Sequence, residues 1–205
     1  ERKTFIEKTI TDQEKMTEAL QAKINKATTI AELEDIYLHF TPKRKTKAQA
    51  ARANGLEPLA NLLLEQKDID LAANSATLTN AKVSDGDAAL QGARDISAEQ
   101  INEDAQVRAK LRKLFENEAT LQSKVVTDKE TEGIKYKDYF DFSELISKTP
   151  SHRILAVLRG VLEGYLRIAI SPAEEASQEL IDAMYIKGMS TCSDQIRKAA
   201  KDAYR

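Results

Sequence analysis

Between Thr41 and Asn54 the chain carries Lys43, Arg44, Lys45, Lys47 and Arg52, five cationic side chains with no carboxylate among them. A run of this kind neutralises phosphates and releases counterions from a nucleic-acid backbone, so these five residues are the candidate nucleic-acid contacts. The competing chemistry is pairing with the acids Glu32, Glu34 and Asp35 just upstream. Each exposed pair of that kind is worth about 0 to 1 kcal/mol.

Catalytic chemistry finds little footing. His39 and His152 are the only histidines and belong to no HExxH-like spacing. Cys192 is the sole cysteine, which rules out an intrachain disulfide and a Cys-based zinc site. It has neither a CxxC partner nor a nearby histidine to activate it. The carboxylates fall in groups such as Glu32, Glu34 and Asp35, or Glu99, Glu103 and Asp104, that suit helix caps and solvated faces. Neither GxxxxGK[ST] nor GxGxxG occurs, so no loop is built to cradle a nucleotide. The expectation is a non-enzyme with no catalytic residue, metal, cofactor or small-molecule substrate. Arg94 with Asp95 reads as a structural ion pair or bridging contact, and Arg153, Arg159 and Arg167 as packing against carboxylates.

The elements that must position the basic run are helical. Gly is 7, Pro 4 and Trp absent, aromatics are 5% and charged residues 31% of 205 residues, a balance that favours helices over sheets. Thr11 with Glu14 predicts a cap for a helix over about 12–26 along Met16, Leu20 and Ile24. Thr29 with Glu32 predicts the next helix, ending near Phe40. Thr46 is expected to cap a short helix through Ala53, stopped by Asn54-Gly55 and followed by another over 56–66. Those two resemble a helix-turn-helix in outline. A further short helix is expected over 70–79.

Ser84 with Asp87 is expected to open a long amphipathic helix along Leu90, Ala93, Ser97 and Ile101, and Asp104 to cap one along Val107, Leu111, Leu114 and Phe115. Arg108, Lys110, Arg112 and Lys113 give that second helix a basic outer face. Residues 120–136 lack a helical period and read as an exposed connection with a short extended piece over 123–127. The wide apolar face of Ile154, Leu155, Leu158, Val161 and Leu162 predicts a helix buried on several sides, then a short strand over 165–170. Ser171, Pro172 and Glu174 mark another helix start, and Ser193 is expected to cap the last helix.

The predicted fold is mainly α, an irregular multi-helix array with helix-turn-helix-like hairpins and at most one short extended segment. Residues 1–80 form an expected N-terminal helical region with the basic turn, and 81–205 a second helical region. The formal charge of −2 gives no global field for DNA or an anionic membrane, so any nucleic-acid contact is local. No apolar run reaches 18 residues and no signal peptide is visible, which points to the cytoplasm. A chain that starts at Glu1 and ends within a helical pattern is expected to be a piece of a larger protein.

Three ordered stretches resemble the Tex family of bacterial transcription accessory proteins. The first is LEDIYLHFTPKRKTKA over 33–48 with ARANGLEPLA over 51–60. The second is ALQGARDI over 89–96, with Ala98, Glu99, Ile101 and DAQVR over 104–108. The third is KDYFDFSE over 137–144, then PSHR over 150–153, Arg159-Gly160 and Glu163-Gly164. The flanks before Leu33 and after Ile170 match in helical character alone. His39 and Thr41 stand where the family commonly has Pro and a basic residue, and Lys45 and Lys47 replace arginines. Charge survives those changes, but the bidentate fork of arginine does not.

The resemblance implies a multidomain cytoplasmic protein that binds nucleic acid and is related to a eukaryotic elongation factor travelling with RNA polymerase. It further implies an RNase H-like domain without clear catalysis, a helix-hairpin-helix region and an OB-type RNA-binding domain, all outside this chain, which matches the N-terminal or central helical region. The implied role is a helical scaffold that positions those domains and adds a secondary phosphate contact. RNA or DNA, bound through the full-length protein, and the transcription machinery are the implied partners. The alternative is a protein-interaction scaffold whose basic residues touch no nucleic acid.

Overall fold

The computed structural model describes residues 1–41 and 46–205. It divides into two compact units, one made of Glu1–Ala109 with Leu180–Arg205 and the other of Lys110–Glu179. The chain passes from the first to the second within one helix and returns within another.

In the first unit, α1 (Arg2–Asp12), α2 (Glu18–Lys26) and α3 (Ile30–Tyr37) enclose a small core of Ile6, Ile10, Ile24 and Leu33. The single helix expected over 12–26 is instead two. Glu14 takes a left-handed conformation (φ 56°) and closes α1, and Thr17 caps α2 by accepting from the Leu20 amide at 3.2 Å. Thr11 is already inside α1, its hydroxyl donating to the Glu7 carbonyl at 2.8 Å, so it cannot act as a cap. The Thr29 and Glu32 capping box forms as predicted.

Next come α4 (Lys47–Ala53), α5 (Glu57–Glu65), α6 (Leu71–Ala76) and α7 (Gly86–Glu103). Gly55 supplies the φ of 81° that turns the chain between α4 and α5. Asp85, rather than Ser84, caps α7 by accepting from the Ala88 amide at 2.8 Å. The buried face of α7 is Ala89, Gly92, Ala93, Ile96, Ser97 and Ile101. Around it pack α4, α5 and the final helix α11 (Thr191–Tyr204), whose own buried side chains include Cys192, Ile196 and Ala199. Ser190 caps α11, accepting from the Ser193 amide at 3.2 Å, so the cap falls three residues before the expected one. Arg94 bridges α7 and α11, donating to Gln195 Oε1 at 2.5 Å.

The second unit is where strands appear. Between α8 (Ala105–Glu118) and α10 (Glu174–Tyr185) lie β1 (Thr120–Val125), β2 (Asp141–Leu145), α9 (Ser151–Leu162) and β3 (Leu166–Ser171). Asp104 caps α8 as predicted, accepting from the Gln106 amide at 2.7 Å. The mainly α class holds, with a three-stranded antiparallel sheet of order β2-β1-β3 in place of at most one extended segment. The expected exposed connection thus contains the central strand, which starts three residues before the expected extended piece, and the strand expected over 165–170 forms as β3. Leu121 pairs with Glu144 on one side and Ile170 on the other. Leu121 and Ser123 face inward at 1% exposure. Leu121, Tyr136, Val157 and Leu166 form the core, with α9 laid on that face of the sheet. Among the described residues no helix is long and apolar enough to cross a membrane.

Candidate nucleic-acid interface

Lys47 is the first residue of α4 and is exposed. Its backbone position is fixed by Thr46, whose side chain accepts from the Gln49 amide at 3.1 Å while Gln49 Oε1 accepts from the Thr46 amide at 3.4 Å. This reciprocal box satisfies donors that a helix start leaves open. The Thr46 hydroxyl also donates to Glu99 Oε1 on α7 at 3.0 Å, tying the N-terminus of α4 to the central helix. On the opposite side of α4, Ala48 and Ala51 are buried. Small side chains there permit a close approach to α7, where a β-carbon on Gly92 would lie 3.2 Å from Ala51 Cβ.

Arg52, five residues along, is committed differently. Its Nη1 donates to Glu99 Oε2 at 2.5 Å and its Nε lies 3.7 Å from Glu57 Oε1. With the Glu99 side chain only 12% exposed, this is a half-buried, charge-assisted bond between α4 and α7. The two described cations are therefore differently placed, with Lys47 exposed at the start of α4 and Arg52 bonded to α7. Lys43, Arg44 and Lys45 lie outside the described residues. Glu99 is the functional neighbour that sequence reading misses, being 47 positions from Arg52 and looking like any solvated helix acid.

The acids offered as alternative partners have other commitments. Glu32 Oε2 accepts from the Thr28 and Thr29 amides at 2.7 and 3.1 Å, and those bonds hold its carboxyl below the usual glutamate range. Glu34 meets Arg2 at 2.5 Å, which likewise lowers its pKa. Asp35, 3% exposed, meets Arg108 at 2.6 Å. Arg108 thus belongs to a packing contact, whereas Lys113 farther along α8 is exposed.

Beside Lys47 opens a cleft of about 760 Å³ lined by Asp95, Glu99, Glu103 and Asp202 together with Lys47 and Arg205. Four carboxylates against two cations make its described walls unfavourable to phosphate. Glu103 there lies 3.3 Å from His39 Nδ1. Among the described residues no group of three or more His, Cys, Asp or Glu side chains is placed to hold a metal ion. Cys192 is buried, and burial together with Asp68 pushes its thiol pKa up, away from a reactive thiolate. Arg153 meets Glu144 at 3.2 Å, the carboxylate packing expected of it.

The chain has relatives, although the basic run over 43–52 precedes the region that the family model matches. The family model described as Tex central region-like matches residues 65–204, reaching well past the motifs, which end at Gly164. The transcriptional accessory protein Tex of Neisseria gonorrhoeae is 47% identical over 83% of this chain and 22% of its own length. Protein tex of Bordetella pertussis is 45% identical over 78% of the chain and 21% of its own length. The uncharacterized protein YdcI of Bacillus subtilis is 33% identical over all of the chain and 29% of its own length, so the likeness extends to both flanks. The chain spans between a fifth and a third of the length of these relatives.

Proposed function

We propose a role for this chain that starts from its kinship: it belongs to the Tex family, matching the family's central region. In that role it is a helical scaffold that holds other domains of a cytoplasmic transcription accessory protein in position. It adds a secondary contact to RNA or DNA phosphate through Lys43, Arg44, Lys45 and Lys47. The observation that carries the transcription role is the 47% identity to a relative named a transcriptional accessory protein. Support for the phosphate contact is geometric: Thr46 is anchored to both Gln49 and Glu99, and Lys47 beside it is exposed. Arg52 contributes less to this contact, because its charge is already compensated by Glu99 at 2.5 Å.

Binding of single-stranded RNA and of duplex DNA, measured against salt concentration, tests the reading. Replacing Lys43, Arg44, Lys45 and Lys47 together by Glu is expected to weaken binding. It should also flatten the log K against log salt slope by roughly 3, at about 0.7 to 0.9 per phosphate contact. Arg52→Ala is expected to leave that slope nearly unchanged. A second reading, a protein-interaction scaffold without nucleic-acid contact, is favoured by the internal pairing of Arg52 with Glu99. Equal binding and equal slopes for the parent and the fourfold variant would select it.

A further inference from the structure

Helix α9 carries more apolar surface than its own unit uses. Ile154, Val157 and Val161 turn toward the sheet, and Gly160 lets the helix approach β3 so closely that a β-carbon there would stand 2.6 Å from Leu166 Cδ1. A second apolar row remains outside that contact. Leu155 is 64% exposed, Leu158 45% and Leu162 88%, at spacings of three and four residues along one side of the helix. Ile170, in the strand packed beneath, is 44% exposed. Leucines at such spacing form the seam onto which a second helix packs, over a length of about 10 Å. Exposed Arg159 flanks this row, α9 itself contains no acidic residue, and the neighbouring Glu163 is bonded to Lys135 at 2.6 Å.

We infer that the Leu155, Leu158 and Leu162 row is the docking face for an amphipathic helix of the longer polypeptide outside these 205 residues, with a carboxylate beside its apolar stripe to meet Arg159. Two observations point to that occupant. The relatives hold most of their length outside the part matched here, between 71% and 79% for those with 29% and 21% coverage, which leaves ample chain to supply such a helix. The row also lies inside the region matched by the family model. This inference is independent of the phosphate contact proposed above.

The test is thiol accessibility in two contexts. Leu158→Cys and, separately, the more exposed Leu162→Cys are made in this chain and in the full-length polypeptide. Maleimide labelling is then quantified by mass spectrometry on the peptides that carry positions 158 and 162, with buried Cys192 as the protected reference. In the 205-residue chain both thiols are expected to label rapidly. In the full-length monomer they are expected to label at least about tenfold more slowly, the mark of a site that reacts only on local opening. Equal rates in the two contexts overturn the inference. Protection already present in the 205-residue monomer overturns it in favour of a cover within this chain. Protection that grows with concentration of the 205-residue chain overturns it in favour of a second copy.

Discussion

Gly92 occupies a point on α7 where a β-carbon would fall 2.4 Å from Leu56 Cδ1 and 3.2 Å from Ala51 Cβ, so α4 and α5 reach the central helix only because the position is bare. Leu56 is 2% exposed and cannot swing into solvent without giving up its own packing. Gly92→Val is therefore expected to destabilise the chain by about 1 to 3 kcal/mol, the usual cost of overpacking a filled core, read from urea denaturation. Glu32 gives a prediction of another kind. Its folded pKa is depressed by the Thr28 and Thr29 amides, so the stability it contributes is present above the ordinary glutamate pKa and is lost as pH falls through the depressed value. Glu32→Gln is expected to remove that part of the acid dependence, with thermal midpoints converging with those of the parent below the folded pKa. The Glu32 box was legible in the sequence because all its partners lie within four residues. Gly92 was visible only as a letter of a motif, since its reason is a contact with residues 36 and 41 positions away.

Among elements, the ends of helices divide in the same way. Thr29, Thr46 and Asp104 could be read as caps from local pattern alone. Thr11 could not be rejected, because the left-handed Glu14 that ends α1 has no glycine or asparagine to announce it. Strand β1 was legible only in part, as the extended piece over 123–127, because one of its two inward residues is polar: buried Ser123 donates to the Tyr139 carbonyl at 2.5 Å, which hides the period-two alternation. The C-terminal helices depend on a residue with no sequence signal. Gln66, left-handed just after α5, donates to the Tyr185 carbonyl at 2.6 Å and accepts at Oε1 from the Lys187 amide and the Ser193 hydroxyl, both at 2.9 Å. It clasps the loop between α10 and α11. Gln66→Ala leaves those partners unsatisfied in a site that is 9% exposed, with an expected loss of about 1 to 3 kcal/mol in urea denaturation. Amides at the start of α11 should lose hydrogen-exchange protection first.

At the scale of the whole molecule, each unit has its own apolar core. Leu121→Ala, in the central strand of the second unit, removes a side chain that is 1% exposed and is expected to cost about 2 to 5 kcal/mol. Hydrogen exchange should report that loss chiefly in the amides of the sheet and α9, with α7 and α11 protected nearly as before. The mainly α class and the family were legible from composition and ordered motifs. The strand that forms β3 was legible as well, but its pairing into a sheet was not, and neither was the pairing of Arg52 with Glu99, because both join residues distant in sequence. Positive charge can be counted along a chain, but whether a cation is already spoken for is a property of the folded neighbourhood.

The first unit is interrupted in sequence by the second, and that ordering reaches back to the chain's birth on the ribosome. Helix α7 is complete at Glu103, yet α11, its most extensive partner, begins at Thr191, with about 90 residues to be synthesised between them. At about 5 to 20 residues per second the wait is roughly 4 to 18 s. Throughout it, the side of α7 that α11 will cover has no permanent cover. The inserted unit, whose own residues emerge as one continuous stretch, is free to fold during that delay. The nascent chain thus finishes its middle before it closes its beginning.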